Sequence, residues 1–539
     1  MWFWLLLAIS AIIKCSATKY TPDWNSLDNR PLPSWYDESK FGIFCHWGVY
    51  SVPAYRSEWM WWYWKGDNPD QDVNKYISNN YKPGTTYADF AKDFTAELFD
   101  PKEFVEVVKN SGARYFVFTS KHHEGFTMWP SRTSWNWNSV DIGPKRNIVG
   151  ELKNAFKDTD VHFGLYFSQF EWFHPLFLDD GKYNTSLYPK VSLDIFKYVK
   201  FGLISYPQMM EIVREFNPEI IWSDGEWDKS DDYWRAKEFL AWLYNSSPVR
   251  NRVVVNDRWG AGTMGKHGGF MTYADHYDPG TLLKRKWENC MTMDKASWGN
   301  RRTMRAADVH SSFEIIEQLA RTVACNGNLL LNIGPDMHGR IPSIFESRLQ
   351  EVGTFINANS EALFETKPWI YQNDTNAPNV WYTSKYRSGL VNKKHSPIYN
   401  AQLQHETIIY AWVLDTKHDK IQLNSITTTD ETKVSILGTS QVLTGFKKNV
   451  PLMIESSQID WRSLIRIDVI VLKIEYAATQ LMHWIDLPYN DSTANMNTAF
   501  DGSGRALAFF KVSATEYMYD DREEINKGSY ACQMVLDVP

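Results

Sequence analysis

From about residue 36 to 335 the chain alternates short, almost wholly apolar segments with amphipathic ones, and no other feature of the sequence limits the fold as much. The apolar segments include Phe41-Gly-Ile-Phe-Cys-His46, Arg114-Tyr-Phe-Val-Phe-Thr119, Val161-His-Phe-Gly-Leu-Tyr166, Glu219-Ile-Ile-Trp222, Arg252-Val-Val-Val255 and Leu329-Leu-Leu-Asn332. Segments of this length without polar alternation read as strands buried on both faces. The stretches between them carry helix signals. Asp100-Pro101 opens a run with Phe104, Val107 and Val108, an N-cap followed by proline at the first helical position. Ser311 and Glu314 have capping-box spacing ahead of Ile315, Ile316, Leu319 and Val323, with Gly327 near the end. Repeated strand–helix units build a parallel sheet covered on both sides. About 300 residues of them favour a (β/α)8-like barrel over an open sheet.

The pattern changes after a further helix near Ile344 to Ile356. Val380-Trp-Tyr-Thr-Ser, Thr407-Ile-Ile-Tyr-Ala-Trp-Val-Leu, Lys420-Ile-Gln-Leu and Lys433-Val-Ser-Ile-Leu-Gly are strand-like and lie between turn-rich polar stretches. They predict an antiparallel β-sandwich over residues 366–476, behind a barrel spanning 18–360. Residues 477–539 show no clear period and are left as an extension of unassigned structure. At the other end, the apolar run Trp2 to Ile13 followed by Lys14, Cys15, Ser16 and Ala17 reads as a signal peptide of residues 1–17. It is shorter than the ~20 residues that span a membrane. The expected setting is therefore the secretory pathway, with a lysosomal or secreted protein and no membrane span.

Composition supports that setting and excludes one class of partner. Cys45, Cys290, Cys325 and Cys532 are too few for a disulfide scaffold and lack the spacing of a metal site. Asn184, Asn245, Asn373 and Asn490 lie in N-glycosylation triplets. The 57 Lys+Arg against 64 Asp+Glu leave a formal charge of −7, which argues against nucleic acid as a partner. The 25 Trp, 28 Tyr and 29 Phe are an unusual load, and many Trp stand beside His and acidic residues. That arrangement suits stacking on sugar faces, although core packing also uses aromatics.

Polar clusters follow the strands: His46-Trp47, Lys121-His122-His123-Glu124, Asp224-Gly-Glu226 and Asn256-Asp257-Arg258. In a barrel these positions form the active-site face. Any one of them alone reads equally well as a helix cap; four in the same topological position do not. Phe41 to Pro53, Lys121 to Phe126, Ile221 to Trp227, Val255 to Trp259 and Asn328 to Pro335 together resemble the animal tissue-type α-L-fucosidases, family 29 of the glycoside hydrolases. The family signature Pro-x-x-Leu-x-x-x-Lys-Trp-Glu-x-Cys is met by Pro279 to Cys290, and the resemblance covers roughly residues 20 to 475.

The resemblance implies a retaining exo-glycosidase that removes terminal α-L-fucose from glycoproteins, glycolipids or oligosaccharides through a covalent fucosyl-aspartate. Such chemistry uses two carboxyl groups about 5–5.5 Å apart. It makes Asp224 the nucleophile and leaves the acid/base between Glu288, which is favoured, and Asp275. It assigns fucose binding to His46, Glu58, Trp59, His122, His123, Trp222 and Arg258, with Tyr166 a lesser candidate. Cys290 reads as a structural thiol. No cofactor and no metal is expected: His122-His123 has Lys121 beside it and no third ligand at zinc-like spacing. The expected partners are fucosylated glycans, with room left for a homo-oligomer. A catalytically silent fucose-binding glycoprotein is the alternative, and retention of Asp224, Glu288 and Asp275 together favours the enzyme. Linkage preference is left to loop shape.

Overall fold

In the computed structural model, residues 19–189, 204–387 and 406–477 are described, followed by the strands 495–500, 506–511 and 533–534, which pair antiparallel in one three-stranded sheet. The signal segment, Asn490 and Cys532 lie outside the described residues. Seven parallel strands form the first sheet: β1 (Phe41–Cys45), β2 (Tyr115–Lys121), β3 (His162–Ser168), β4 (Ile220–Asp224), β5 (Val254–Val255), β6 (Trp287–Thr292) and β7 (Gly327–Ile333). Their order is β5-β4-β3-β2-β1-β7-β6. The sheet curls, and an irregular stave fills the place between its edges. Gly269 and Phe270 N–H donate to the Val255 carbonyl, Met271 N–H donates to Lys286, and Glu288 N–H donates to Met271. The (β/α)8-like expectation therefore holds with seven strands and one non-strand segment.

Local signals account for the helices. In α1 (Pro101–Asn110) the Asp100 carboxylate accepts from the N–H groups of Lys102 and Glu103, and Phe104, Val105 and Val108 are buried. In α2 (Ser312–Ala324) Ser311 and Glu314 close the capping box, and Ile315, Ile316, Leu319 and Val323 pack inward. Such a cap stabilises a helix by about 1 kcal/mol. The barrel strand that was not foreseen is β6. Its inward side chains are Glu288 and Cys290, so it lacks the apolar run that marks the other strands.

The barrel interior is unusually polar for a packed core. Tyr36, Phe44, Tyr115, Tyr166, Trp222, Phe270 and Cys290 fill it, with the Glu288 carboxyl among them. Gly42 makes room for this packing. A Cβ there would lie 2.5 Å from the Tyr115 ring, so only glycine lets that ring lie across β1 and bring its hydroxyl to Glu288.

After α3 (Ser343–Ala358) come the antiparallel strands β8 (Lys367–Asn373), β9 (Val380–Tyr386), β10 (Thr407–Val413), β11 (Lys420–Thr427), β12 (Lys433–Ile436), β13 (Val442–Leu443), β14 (Pro451–Glu455) and β15 (Ile470–Glu475). Six of them order as β13-β12-β15-β10-β9-β8, while β11 pairs β14. Trp369, Tyr382, Ile409, Leu423, Leu452 and Leu472 form the core between these two sheets.

A charge cluster ties the barrel floor to β8. Asp37 pairs with Lys40 at 2.9 Å and Lys286 at 2.7 Å, and it also accepts from Lys367 of β8. Burial opposes ionisation of Asp37, but Lys286, Lys40 and Lys367 hold its carboxyl well below the usual carboxylate range. Its stabilising effect is thus present at neutral pH and is lost only as pH falls through that depressed value. Asp37→Asn leaves three lysines without their shared counter-ion. It should lower stability by about 3 kcal/mol, read as a reduced denaturant midpoint at pH 7 with activity of the folded fraction retained.

Candidate active site

The C-terminal ends of β1 to β4, with the loops after β5 and β6, bring the predicted polar residues to one mouth. Asp224 ends β4 and is nearly buried. Its Oδ2 accepts from the Tyr166 hydroxyl at 2.7 Å and its Oδ1 from Arg258 Nη1 at 3.1 Å. His123 Nε2 stands 3.6 Å from the same carboxylate. The chain can turn at once after Asp224 because Gly225 has φ 71; a Cβ there would also lie 2.9 Å from Ser168 Oγ. Arg258 lies over the Trp222 ring at 4.7 Å and reaches on to Asp275 through Nη2.

The histidines are oriented by neighbours on adjacent strands. His46 Nδ1 meets Asn332 Oδ1 at 2.7 Å, and the amide nitrogen of Asn332 donates to the Trp298 carbonyl. His46 must then carry its proton on Nδ1, which leaves Nε2 as an acceptor. Ser168 donates its hydroxyl proton to the Phe170 carbonyl and so accepts from His123 Nδ1 at 2.7 Å. Burial, reinforced by His122, pushes both His46 and His123 well below the usual imidazole range, so each is neutral. His122 lies 3.4 Å from Glu124. Lys121 donates instead to Glu171 at 3.0 Å and Gln208 at 2.9 Å. Among the described residues no three His, Cys, Asp or Glu side chains converge as metal ligands.

Glu58 and Trp59 also reach the mouth. One oxygen of Glu58 accepts from the N–H groups of Trp298 and Gly299, both at 3.0 Å, and from Ser297 Oγ. Trp59 meets His123 edge-on at 5.4 Å. Trp298 itself packs 5.2 Å from the His46 ring, a site neighbour that the sequence reading did not name. Tyr166, a lesser candidate on sequence grounds, is a direct partner of Asp224. A phenol hydroxyl close to the C-terminal end of an apolar strand was the available signal for it.

The two acid/base candidates lie in opposite environments. Glu288 is fully buried, with Oε1 accepting from Trp222 Nε1 at 2.8 Å and Oε2 from Tyr36 and Tyr115 hydroxyls at 2.7 and 2.8 Å. Burial pushes its carboxyl up to about 7 against those three donors. From Glu288 the contacts reach the mouth through Trp222, whose ring lies under the Arg258 guanidinium. Asp275 is half-exposed, on a turn where Tyr273 (φ 57) and His276 (φ 56) both take left-handed backbone. Two such residues in one short turn mark a segment held in place by its surroundings.

A further carboxyl, Glu226, belongs to the polar cluster that follows β4. It is buried, and its Oε2 has no protein hydrogen-bond partner. Burial first, then the charge on Asp224, push it up from 4.5 to about 8. A folded-state value above the unfolded one means its contribution to stability is full below about 4.5 and is lost as pH rises through about 8. The stability gap between wild type and Glu226→Gln should therefore change by ~1.4 kcal/mol per pH unit across that window, in favour of the variant at high pH. Denaturant unfolding of both proteins at pH 5, 6.5 and 8 measures it; parallel pH dependences would refute the neutral state of Glu226.

Neutral imidazoles, an anchored carboxylate, a second carboxyl across an arginine, and aromatic walls meet at the strand ends of a barrel, an arrangement suited to glycoside hydrolysis. The α-L-fucosidase family model matches residues 7–361. A putative α-L-fucosidase of Caenorhabditis elegans is 70% identical over 464 residues, 86% of this chain and 94% of that protein. Human tissue α-L-fucosidase is 46% identical over 420 residues, 78% of this chain and 84% of that one. The structure of Thermotoga maritima α-fucosidase in complex with fucose aligns with TM-score 0.64 and 27% identity, covering 84% of this chain and all of that one. The chain belongs to the α-L-fucosidase family.

Proposed function

We propose that the protein is a retaining exo-α-L-fucosidase that releases terminal α-L-fucose from glycoproteins, glycolipids or oligosaccharides. The observation that carries this reading is the anchoring of Asp224. Tyr166 and Arg258 each hold one of its oxygens, so the carboxylate is aimed without a rotamer search. In the first step Asp224 attacks the anomeric carbon, and a carboxylic acid gives its proton to the departing glycosidic oxygen. In the second step the resulting carboxylate takes a proton from water, which displaces Asp224 and frees fucose with its configuration retained.

Asp275 is the better acid/base on physical grounds, which reverses the preference drawn from sequence. A group that must exchange protons with a leaving group and then with water needs access to both. Asp275 has that access, and its link through Arg258 keeps it beside Asp224. The Glu288 carboxyl has its hydrogen-bonding capacity engaged by three fixed donors below Trp222. The Arg258–Asp275 contact has to open as the glycoside enters, so that Asp275 can carry the proton.

His46 and His123 offer acceptor nitrogens to sugar hydroxyls. Glu58 presents its remaining oxygen, and Trp59, Trp222 and Trp298 supply apolar faces. The N-terminal apolar run and the glycosylation triplets support a lysosomal or secreted location; among the described residues no helix is long and apolar enough to cross a membrane. The test is to trap the intermediate. Incubation with 2-deoxy-2-fluoro-L-fucosyl fluoride should add one fluorofucosyl group to the peptide holding Asp224, read by mass spectrometry. Binding of fucose with no turnover and no adduct would leave only a sugar-binding protein.

A further inference from the structure

We propose that Trp227 is the platform of a second sugar subsite, which stacks against the apolar face of the pyranose to which the fucose is linked. The inference rests on the fucosidase reading and adds what lies beyond the fucose itself. Most aromatic side chains around Asp224 are buried: Trp222 and Tyr166 are almost wholly enclosed. Trp227 differs, with 41% of its surface open to solvent. It is nevertheless held firmly. Phe170 meets it edge-on at 5.1 Å, His123 edge-on at 5.4 Å, and Trp59 lies nearly parallel to it at 6.0 Å. A large aromatic ring fixed on one side and open on the other is a preformed surface, and stacking on it requires little further ordering.

Its place in the chain decides which part of a substrate it would meet. Trp227 comes three residues after Asp224, on the loop leaving β4, and its ring packs on His123, which itself faces the Asp224 carboxylate. Arg258 bridges Asp224 and Asp275, so this loop and the 273–276 turn border one opening. In an exo-acting enzyme the terminal sugar fills the enclosed part of the site, and its neighbour must lie outward at the rim. There the glycosidic oxygen meets the acid. Trp227 is the exposed aromatic at that rim among the described residues. A hexose or an N-acetylhexosamine fits equally, because each has a face of C–H groups.

The test compares substrates with and without a ring in the leaving group. In wild type and Trp227→Ala, kcat/KM is measured for fucosyl-galactose and fucosyl-N-acetylglucosamine disaccharides and for α-L-fucosyl fluoride. Trp227→Ala should lose roughly tenfold more on one or both disaccharides than on the fluoride, chiefly through KM. Trp227→Phe, which keeps a flat ring, should recover most of that difference. Selective loss on one disaccharide identifies the preferred neighbour; loss on both assigns a subsite that accepts either. Equal losses on all three substrates, or none on any, overturn the proposal, and a raised inhibition constant for free fucose would show that Trp227 only supports His123 and Trp59. A wild-type protein that turns over neither disaccharide nor fluoride would instead remove the fucosidase reading, and the subsite with it.

Discussion

Asp224→Gly is expected to lower kcat by a factor of ~10⁴ or more on every fucoside while leaving the fold in place. The variant loses the group that forms the covalent bond, and no neighbour can substitute for it. Tyr166 keeps a hydroxyl and Arg258 keeps Asp275 as its partner, so the surroundings are not left with an unpaired buried charge. Glycine follows at position 225 and already sets the turn, which limits backbone strain in the variant. The space vacated by the carboxylate lies on the face from which Asp224 would attack. Azide should therefore enter it and restore part of the turnover of an activated fucoside, with inversion, to give β-L-fucosyl azide. Near-wild-type activity in a folded Asp224→Gly protein would remove Asp224 from the reaction. Inactivity together with a collapsed unfolding midpoint would point to a structural role instead.

The second large effect separates Asp275 from Glu288. Asp275→Ala should slow glycosides with poor leaving groups by about 10²–10⁴ while leaving the first step almost untouched for an aryl fucoside with an acidic phenol. Azide should then attack the fucosyl-enzyme, and two displacements give the retained product, α-L-fucosyl azide. Glu288→Ala should behave differently. It strands the Tyr36 and Tyr115 hydroxyls and the Trp222 N–H in the barrel interior, at about 1–3 kcal/mol for each unpaired group. Its expected signature is a lower unfolding midpoint and an activity loss that does not depend on the leaving group. The opposite result, a leaving-group-dependent loss in Glu288→Ala and a uniform one in Asp275→Ala, would return the acid role to Glu288. Asp224 keeps its role under either outcome, since it lies on a different strand.

Much of the barrel was legible in the sequence because its information is local. Apolar runs placed β1, β2, β3, β4, β5 and β7, and the caps at Asp100 and Ser311 placed the starts of α1 and α2 within a residue. The polar clusters after the strands named His46, His122, His123, Asp224 and Arg258, and strand polarity alone delivers such residues to one face of a barrel. β6 escaped because its inward positions hold Glu288 and Cys290, and period and hydropathy cannot tell an inward polar strand from a loop.

Pairings across the fold were not legible at all. Tyr36 and Glu288 are 252 positions apart, Trp222 and Glu288 are 66 apart, and only closure of the barrel brings them into contact. Whether a carboxyl in a matched motif faces solvent or three buried donors depends on those contacts, so spacing alone cannot rank Glu288 against Asp275. The same holds for Tyr166, whose hydroxyl gains its meaning from the register of β3 against β4, where Ser168 lies opposite Asp224. Sequence determined which chemistry the chain carries and at which end of the strands it gathers, since both follow from residue type and local periodicity. Tertiary structure alone decided which carboxyl is sealed, which is reachable and which histidine nitrogen is free. Burial and hydrogen-bond partners are properties of the packed whole.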